Sequence, residues 1–172
     1  MRFIRIGFVL AIVAASGSSF SQANPCKCCD DNHNQFNFWI GDWKVYDPSG
    51  KFLGDNSIQA MQDSCLLQEN WTSATGVYRG TSYNFYNQKS KNWQQLWIDN
   101  QGSHLELEGG FSNGKMTLQS QELINAKGQK QIDRITWTPT NDDQVRQVWE
   151  TSLNGGDSWK TVFDGIYKKH QP

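Results

Sequence analysis

A turn signal interrupts the chain roughly every ten residues beyond Phe38, and the runs between the signals alternate apolar with polar side chains. That spacing belongs to all-β domains. The turns are Asp47-Pro48-Ser49-Gly50, Asn87 to Asn92, Asn100-Gln101-Gly102, Asn113-Gly114, Thr138 to Asp143 and Asn154-Gly155-Gly156-Asp157, rich in the residues that tight turns need. No window of about eleven residues keeps a helical period. The intervening runs read as ten strands, about 38–46, 52–61, 66–73, 78–87, 93–99, 104–111, 115–123, 131–138, 144–152 and 159–168. Ten antiparallel strands with hairpin-length links are best closed on themselves, because closure leaves no strand edge unpaired. The expected fold is all-β, a ten-stranded antiparallel up-and-down β-barrel.

Strand side chains point to opposite faces with period two. In "HLELEGGF" Leu105, Leu107, Gly109 and Phe111 share one face, opposite Glu106 and Glu108. Met116 with Leu118, Ile135 with Trp137, and Phe163 with Gly165 and Tyr167 pair off in the same way. Two strands carry bulk on both faces: "NWQQLWID", with Trp93 and Trp97 against Leu96 and Ile98, and "VRQVWETS", with Gln147 and Trp149 against Arg146, Val148 and Glu150. Parity alone leaves both open.

The N-terminal residues 1–23 read as a secretory signal peptide. Arg2 and Arg5 precede an apolar run from Ile6 to Ala15, and Ser21-Gln22-Ala23 forms a small-residue cleavage site. The run is shorter than the roughly 20 residues that cross a bilayer. Residues 24–35 then form a Cys-rich leader and 36–170 the barrel domain, which predicts a periplasmic or secreted protein. Loss of Arg2 and Arg5 makes the formal charge of -1 more negative. Such a chain lacks the basic footprint that nucleic acid requires, and it has no polybasic segment for a membrane surface. The four cysteines, Cys26, Cys28, Cys29 and Cys65, all lie in the exported part, where an oxidising compartment favours disulfides. Thiolates also suit Zn or Cu(I), but "CKCC" has no second CxxC. A bridge from Cys28 or Cys29 to Cys65 would tie the leader to a later loop. Cys29–Cys65 is the pairing expected, with three connectivities open.

The motifs "FNFWIGDWKVY", "CLLQENW", "RGTSYNFYN", "WQQLWID", "LELEGGFSNGKMTL", "RITWTP", "VRQVWETSLNGGDSW" and "FDGIYKK" together resemble DUF1579, a family of exported bacterial proteins placed among the calycin-type barrels. The likeness runs from Phe36 to Lys168. It implies a lipocalin-like barrel akin to fatty-acid-binding proteins and nitrobindin, and it implies no ligand or catalytic residue.

Eight Trp beside many amides suit a cavity wall better than a solid core, since a buried indole N–H needs a partner. The candidate ligand-binding residues are Trp43, Glu69, Trp71, Asn84, Tyr86, Gln95, Trp97, Arg134, Trp137, Arg146, Gln147, Trp149 and Glu150, with Trp43 lying across the barrel floor as a plug. They would hold a largely apolar small molecule with a polar or anionic end. An inward Arg would fork onto a carboxylate. The bland alternative is an internal salt bridge between Glu69 and Arg134 or Arg146, with the Trp simply filling space. No Gly-x-Ser-x-Gly, His-Glu-x-x-His or phosphate-cradling loop is present, so no catalytic residue is assigned. An enzyme reading would rest on Glu69 as acid or base, with Tyr86 or Tyr167 as a donor. A third reading is a solid barrel whose exposed aromatics meet an envelope partner. Haem is disfavoured: His33 sits in the leader, His170 is third from the end, and His104 adjoins a turn.

Overall fold

The computed structural model describes residues 26–140 and 143–170. The segment read as a signal peptide lies outside these. The strands are β1 (Gly41–Tyr46), β2 (Phe52–Met61), β3 (Leu66–Ser73), β4 (Arg79–Asn87), β5 (Asn92–Asp99), β6 (His104–Ser112), β7 (Lys115–Gln119), β8 (Leu123–Ile124), β9 (Lys130–Pro139), β10 (Val145–Ser152) and β11 (Lys160–Lys169). All except β8 form a closed antiparallel barrel of ten strands, in which each pairs with its neighbour in sequence and β1 pairs with β11. The two-residue β8 stands apart as a ribbon on the end of β9. The chain leaves the barrel at Gln119 instead of continuing to 123, after Ser120 N–H makes a last backbone bond to Asp133 O.

Up-and-down topology puts the turns alternately at the two ends. One end holds the links 62–65, 88–91 and 113–114 and the adjoining ends of β9 and β10, and the leader crosses it. The other end, the mouth, holds 47–51, 74–78, 100–103, 120–129 and 153–159.

The leader and residues 36–40 after it plug the first end. Asp30 caps a single turn, α1 (Asp31–Asn34), accepting from Asn32 and His33 N–H. A 3-10 turn over Asn37–Trp39 follows and delays the start of β1 to Gly41. That turn drops Phe36 and Trp39 into the barrel, both fully buried. Phe36 stacks on Trp39 at 4.9 Å and meets Trp93 and Trp137 edge-on. Trp43 donates its Nε1 hydrogen to Trp39 O at 2.9 Å. Trp93 Nε1 donates to Asn32 O and Gln35 Oε1. His33 is buried between Asp30, 2.8 Å from its Nδ1, and the edge of Tyr86.

Two disulfides, Cys26–Cys29 and Cys28–Cys65, staple this plug. The expected Cys29–Cys65 bridge is thereby corrected. Cys28 turns toward the barrel with 6% of its surface exposed, within reach of the β2–β3 link. Cys29 points outward and closes a tight turn onto Cys26. No helix among the described residues is long and apolar enough to cross a membrane.

Candidate functional site

The barrel interior is layered, and the layers follow from strand parity. On the plug side the inward residues are apolar: Ile58, Leu67, Trp93, Met116, Trp137 and Val145 pack on Phe36 and Trp39. This placement resolves the two mixed strands. Trp93, Gln95 and Trp97 face inward on β5, and Val145, Gln147 and Trp149 face inward on β10.

Above that layer lies a belt of polar side chains from neighbouring strands. Tyr167 Oη donates to Gln147 Oε1. Asn56 Nδ2 donates to Tyr167 Oη at 3.2 Å and to Glu69 Oε1 at 2.7 Å. Ser82 Oγ donates to Glu69 Oε2 at 2.6 Å. Asn84 Nδ2 donates to Ser82 Oγ at 2.8 Å, and Gln95 Nε2 to Asn84 Oδ1 at 2.7 Å. Buried polar groups are costly unless bonded in this way.

Beyond the belt, toward the mouth, the interior is hollow. A cavity of about 220 Å³ is walled by Leu53, Trp71, Trp97, Leu105, Trp149 and Phe163, with Glu69, Gln95, Gln147 and Tyr167 on its floor. Glycines on the wall make the room. Gly80 presents a bare α-carbon to the Trp97 ring, and a Cβ there would stand 2.1 Å from that ring. Gly54 and Gly165 receive Trp71 and Phe163 in the same way, with a Cβ 2.8 Å and 2.6 Å from the respective rings. The large rings can therefore lean on the wall instead of filling the centre.

Of the predicted residues, the structure brings Glu69, Trp71, Gln95, Trp97, Gln147 and Trp149 together around this cavity. Asn84 belongs to the belt beneath it. Trp43 and Trp137 lie deeper, in the plugged half, and Tyr86 packs against His33 and Trp93 at the plug end. Arg134, Arg146 and Glu150 are on the outer face, because they are out of phase with the inward Ile135, Gln147 and Trp149. Arg134 pairs with Glu150 at 2.9 Å and covers the Trp159 ring at 3.8 Å. Arg146 makes a two-pronged pair with Asp164. The internal salt bridge to Glu69 is therefore also excluded. Residues missed in the sequence include Asn56 and Ser82, which hold Glu69, together with Leu53, Tyr78 and Phe163 on the wall. Strand phase was the available signal: Ser82 is in step with Asn84, and Phe163 with Tyr167.

Glu69 is 5% exposed. Burial pushes its carboxyl up from the usual value near 4.5, while the bonds from Ser82 and Asn56 pull the other way and only partly offset it. Burial, with the Glu69 charge second, also holds the Tyr167 hydroxyl well above its ordinary range. Tyr78, at the mouth, is raised by burial and then by its bond to Asp99.

These shifts carry a stability prediction. With the folded value of Glu69 above the unfolded one, the native chain keeps a proton that the unfolded chain has released. Stability therefore falls as pH rises from about 4.5 through the folded value, and is level above it, with a slope of at most about 1.4 kcal/mol per pH unit. Urea midpoints of wild type and Glu69→Gln across this range check it: the variant should lose the decline. An unchanged pH profile in the variant would show that Glu69 does not cause it.

No protein-family model matches the chain, and no curated protein matches it.

Proposed function

We propose that the barrel binds a compact, largely apolar small molecule in the mouth half of its interior. One observation carries this reading: the hollow is lined by aromatic rings that neighbouring glycines allow to stand back. An apolar cavity with a few convergent polar groups is how proteins hold small ligands. The polar end of the ligand meets Glu69, Gln95 and Gln147. The forked grip on a carboxylate expected from Arg134 or Arg146 drops out, since both lie outside. Turnover at Glu69 is the weaker reading, because Asn56 and Ser82 already hold both of its oxygens. Two disulfides fit an oxidising compartment and, with the N-terminal signal pattern, support a periplasmic or secreted location.

Tryptophan fluorescence titrated with a panel of small apolar and amphipathic molecules tests the binding reading, since Trp71, Trp97 and Trp149 line the site. Gly80→Ala supplies the control. Its methyl would displace the Trp97 ring toward the hollow, weakening binding at least about tenfold. The overpacking should cost about 1–3 kcal/mol with the β-sheet circular dichroism retained. Saturable binding unaffected by Gly80→Ala, or no binding by any member of the panel, would overturn the reading.

A further inference from the structure

The charges around the cavity do not balance. Glu69 stands on the floor, and among the described residues no Lys, Arg or His lines the space. A second carboxyl, Asp133, is buried behind Trp149, accepting from Trp149 Nε1 at 2.9 Å and Gln131 Nε2 at 2.7 Å. The arginines of the neighbouring strands, Arg134 and Arg146, are paired on the outer face.

The belt is also polarised. Gln95 donates to Asn84, Asn84 to Ser82 and Ser82 to Glu69, while Asn56 donates to Glu69 from the other side. Each donor in this relay strengthens the next, and the whole converges on the carboxyl as acceptor. In turning its amide hydrogens to Glu69 and Tyr167, Asn56 leaves its own buried Oδ1 without a partner. Such an arrangement would hold Glu69 in its ionised form, which burial alone disfavours and a bound cation would restore. Burial opposes that charge, and nothing on the cavity wall offsets it.

Aromatic rings complete the picture. Three indoles and a phenyl surround the space above Glu69, and π-systems, Trp above all, attract a cation most strongly out of water. The cavity has room for about seven waters at the ~30 Å³ each takes in the liquid. That admits a small ammonium head.

We propose that the ligand is a compact organic cation, a methylated or short-chain ammonium compound, with its charge between the Glu69 carboxylate and the indoles of Trp71, Trp97 and Trp149. The inference rests on reading the cavity as a binding site.

Calorimetric titration with choline and with its uncharged tert-butyl analogue of the same shape tests it on the wild-type chain. Choline should bind saturably and the analogue on the order of 30-fold more weakly. Glu69→Gln should weaken choline and leave the analogue unchanged, and Trp97→Leu should narrow the gap between the two. Equal binding of both compounds would overturn the cationic assignment. So would saturable binding of neutral apolar probes with none of choline; either result leaves the binding site standing. If no probe of either kind binds, the binding reading falls as well.

Discussion

Replacing Trp39 by Ala is expected to cost about 3–5 kcal/mol, the range for removing a large aromatic side chain from a packed core. Trp39 is 0% exposed and touches a ring on every side: Phe36 stacked at 4.9 Å, Trp137 tilted at 5.3 Å and Tyr167 at 6.4 Å. The hydrogen bond it receives from Trp43 ends on its backbone carbonyl and survives the substitution. Lost packing therefore accounts for the effect. Trp39→Phe separates ring from indole. Trp39 Nε1 is buried without an acceptor, so the phenyl relieves an unpaired donor while keeping much of the stacking, and its cost should be well below that of Ala. Urea midpoints give both numbers. A loss below about 1 kcal/mol for Trp39→Ala would show that the plug does not belong to the core.

The plug decides where the barrel can be hollow. A ten-stranded barrel has a wider interior than an eight-stranded one, which side chains can just fill. Here the segment between the leader and β1 supplies the missing bulk at one end, through Phe36 and Trp39, and the polar belt closes over it. The mouth half has no such insert, and its own large rings rest against Gly54, Gly80 and Gly165. One chain thus carries a packed half and an open half.

The strands were legible because each run obeys period two between strong turn signals, and the barrel followed from the need to pair every edge. Arg134, Arg146 and Glu150 show that the same rule reached further than it was applied. Ile135 and Trp137 were read onto one face, which leaves Arg134 on the other; fixing Gln147 and Trp149 as inward sends Arg146 and Glu150 out. An internal Arg would suit an anionic ligand, but strand phase forbids it at both positions. The plug was less legible for a physical reason. Phe36 and Trp39 sit in a 3-10 turn, whose short length gives no period, so their burial depends on contacts far along the chain. The hollow was harder still, because it depends on rings leaning across to glycines on other residues of the wall, Trp71 to Gly54 and Trp97 to Gly80. The cysteine pairing turned on which way Cys28 and Cys29 point after a single tight turn, which spacing does not encode.

That pairing yields the second large effect. Cys28–Cys65 joins residues 37 apart, while Cys26–Cys29 joins residues 3 apart. In the chain-entropy account a cross-link removes a constant amount of unfolded-chain entropy plus an amount that grows with the logarithm of the loop it closes, which gives about 4 kcal/mol for the long loop and about 2 kcal/mol for the short one. Cys28→Ala with Cys65→Ala should therefore lower stability about twice as much as Cys26→Ala with Cys29→Ala. The longer bridge also fixes the leader against the β2–β3 link, so its loss should loosen the plug and expose Phe36 and Trp39 to solvent. Hydrogen exchange should then speed up at Asn34, Trp39 and Ile40, whose amides bond within the leader and the 3-10 turn after it, while the Trp97 and Ser82 amides on β5 and β4 stay protected. Equal losses from the two double variants would place the stabilisation outside loop closure, in the turn around Cys26 and Cys29. Unchanged exchange in the leader would mean that aromatic packing alone holds the plug in place.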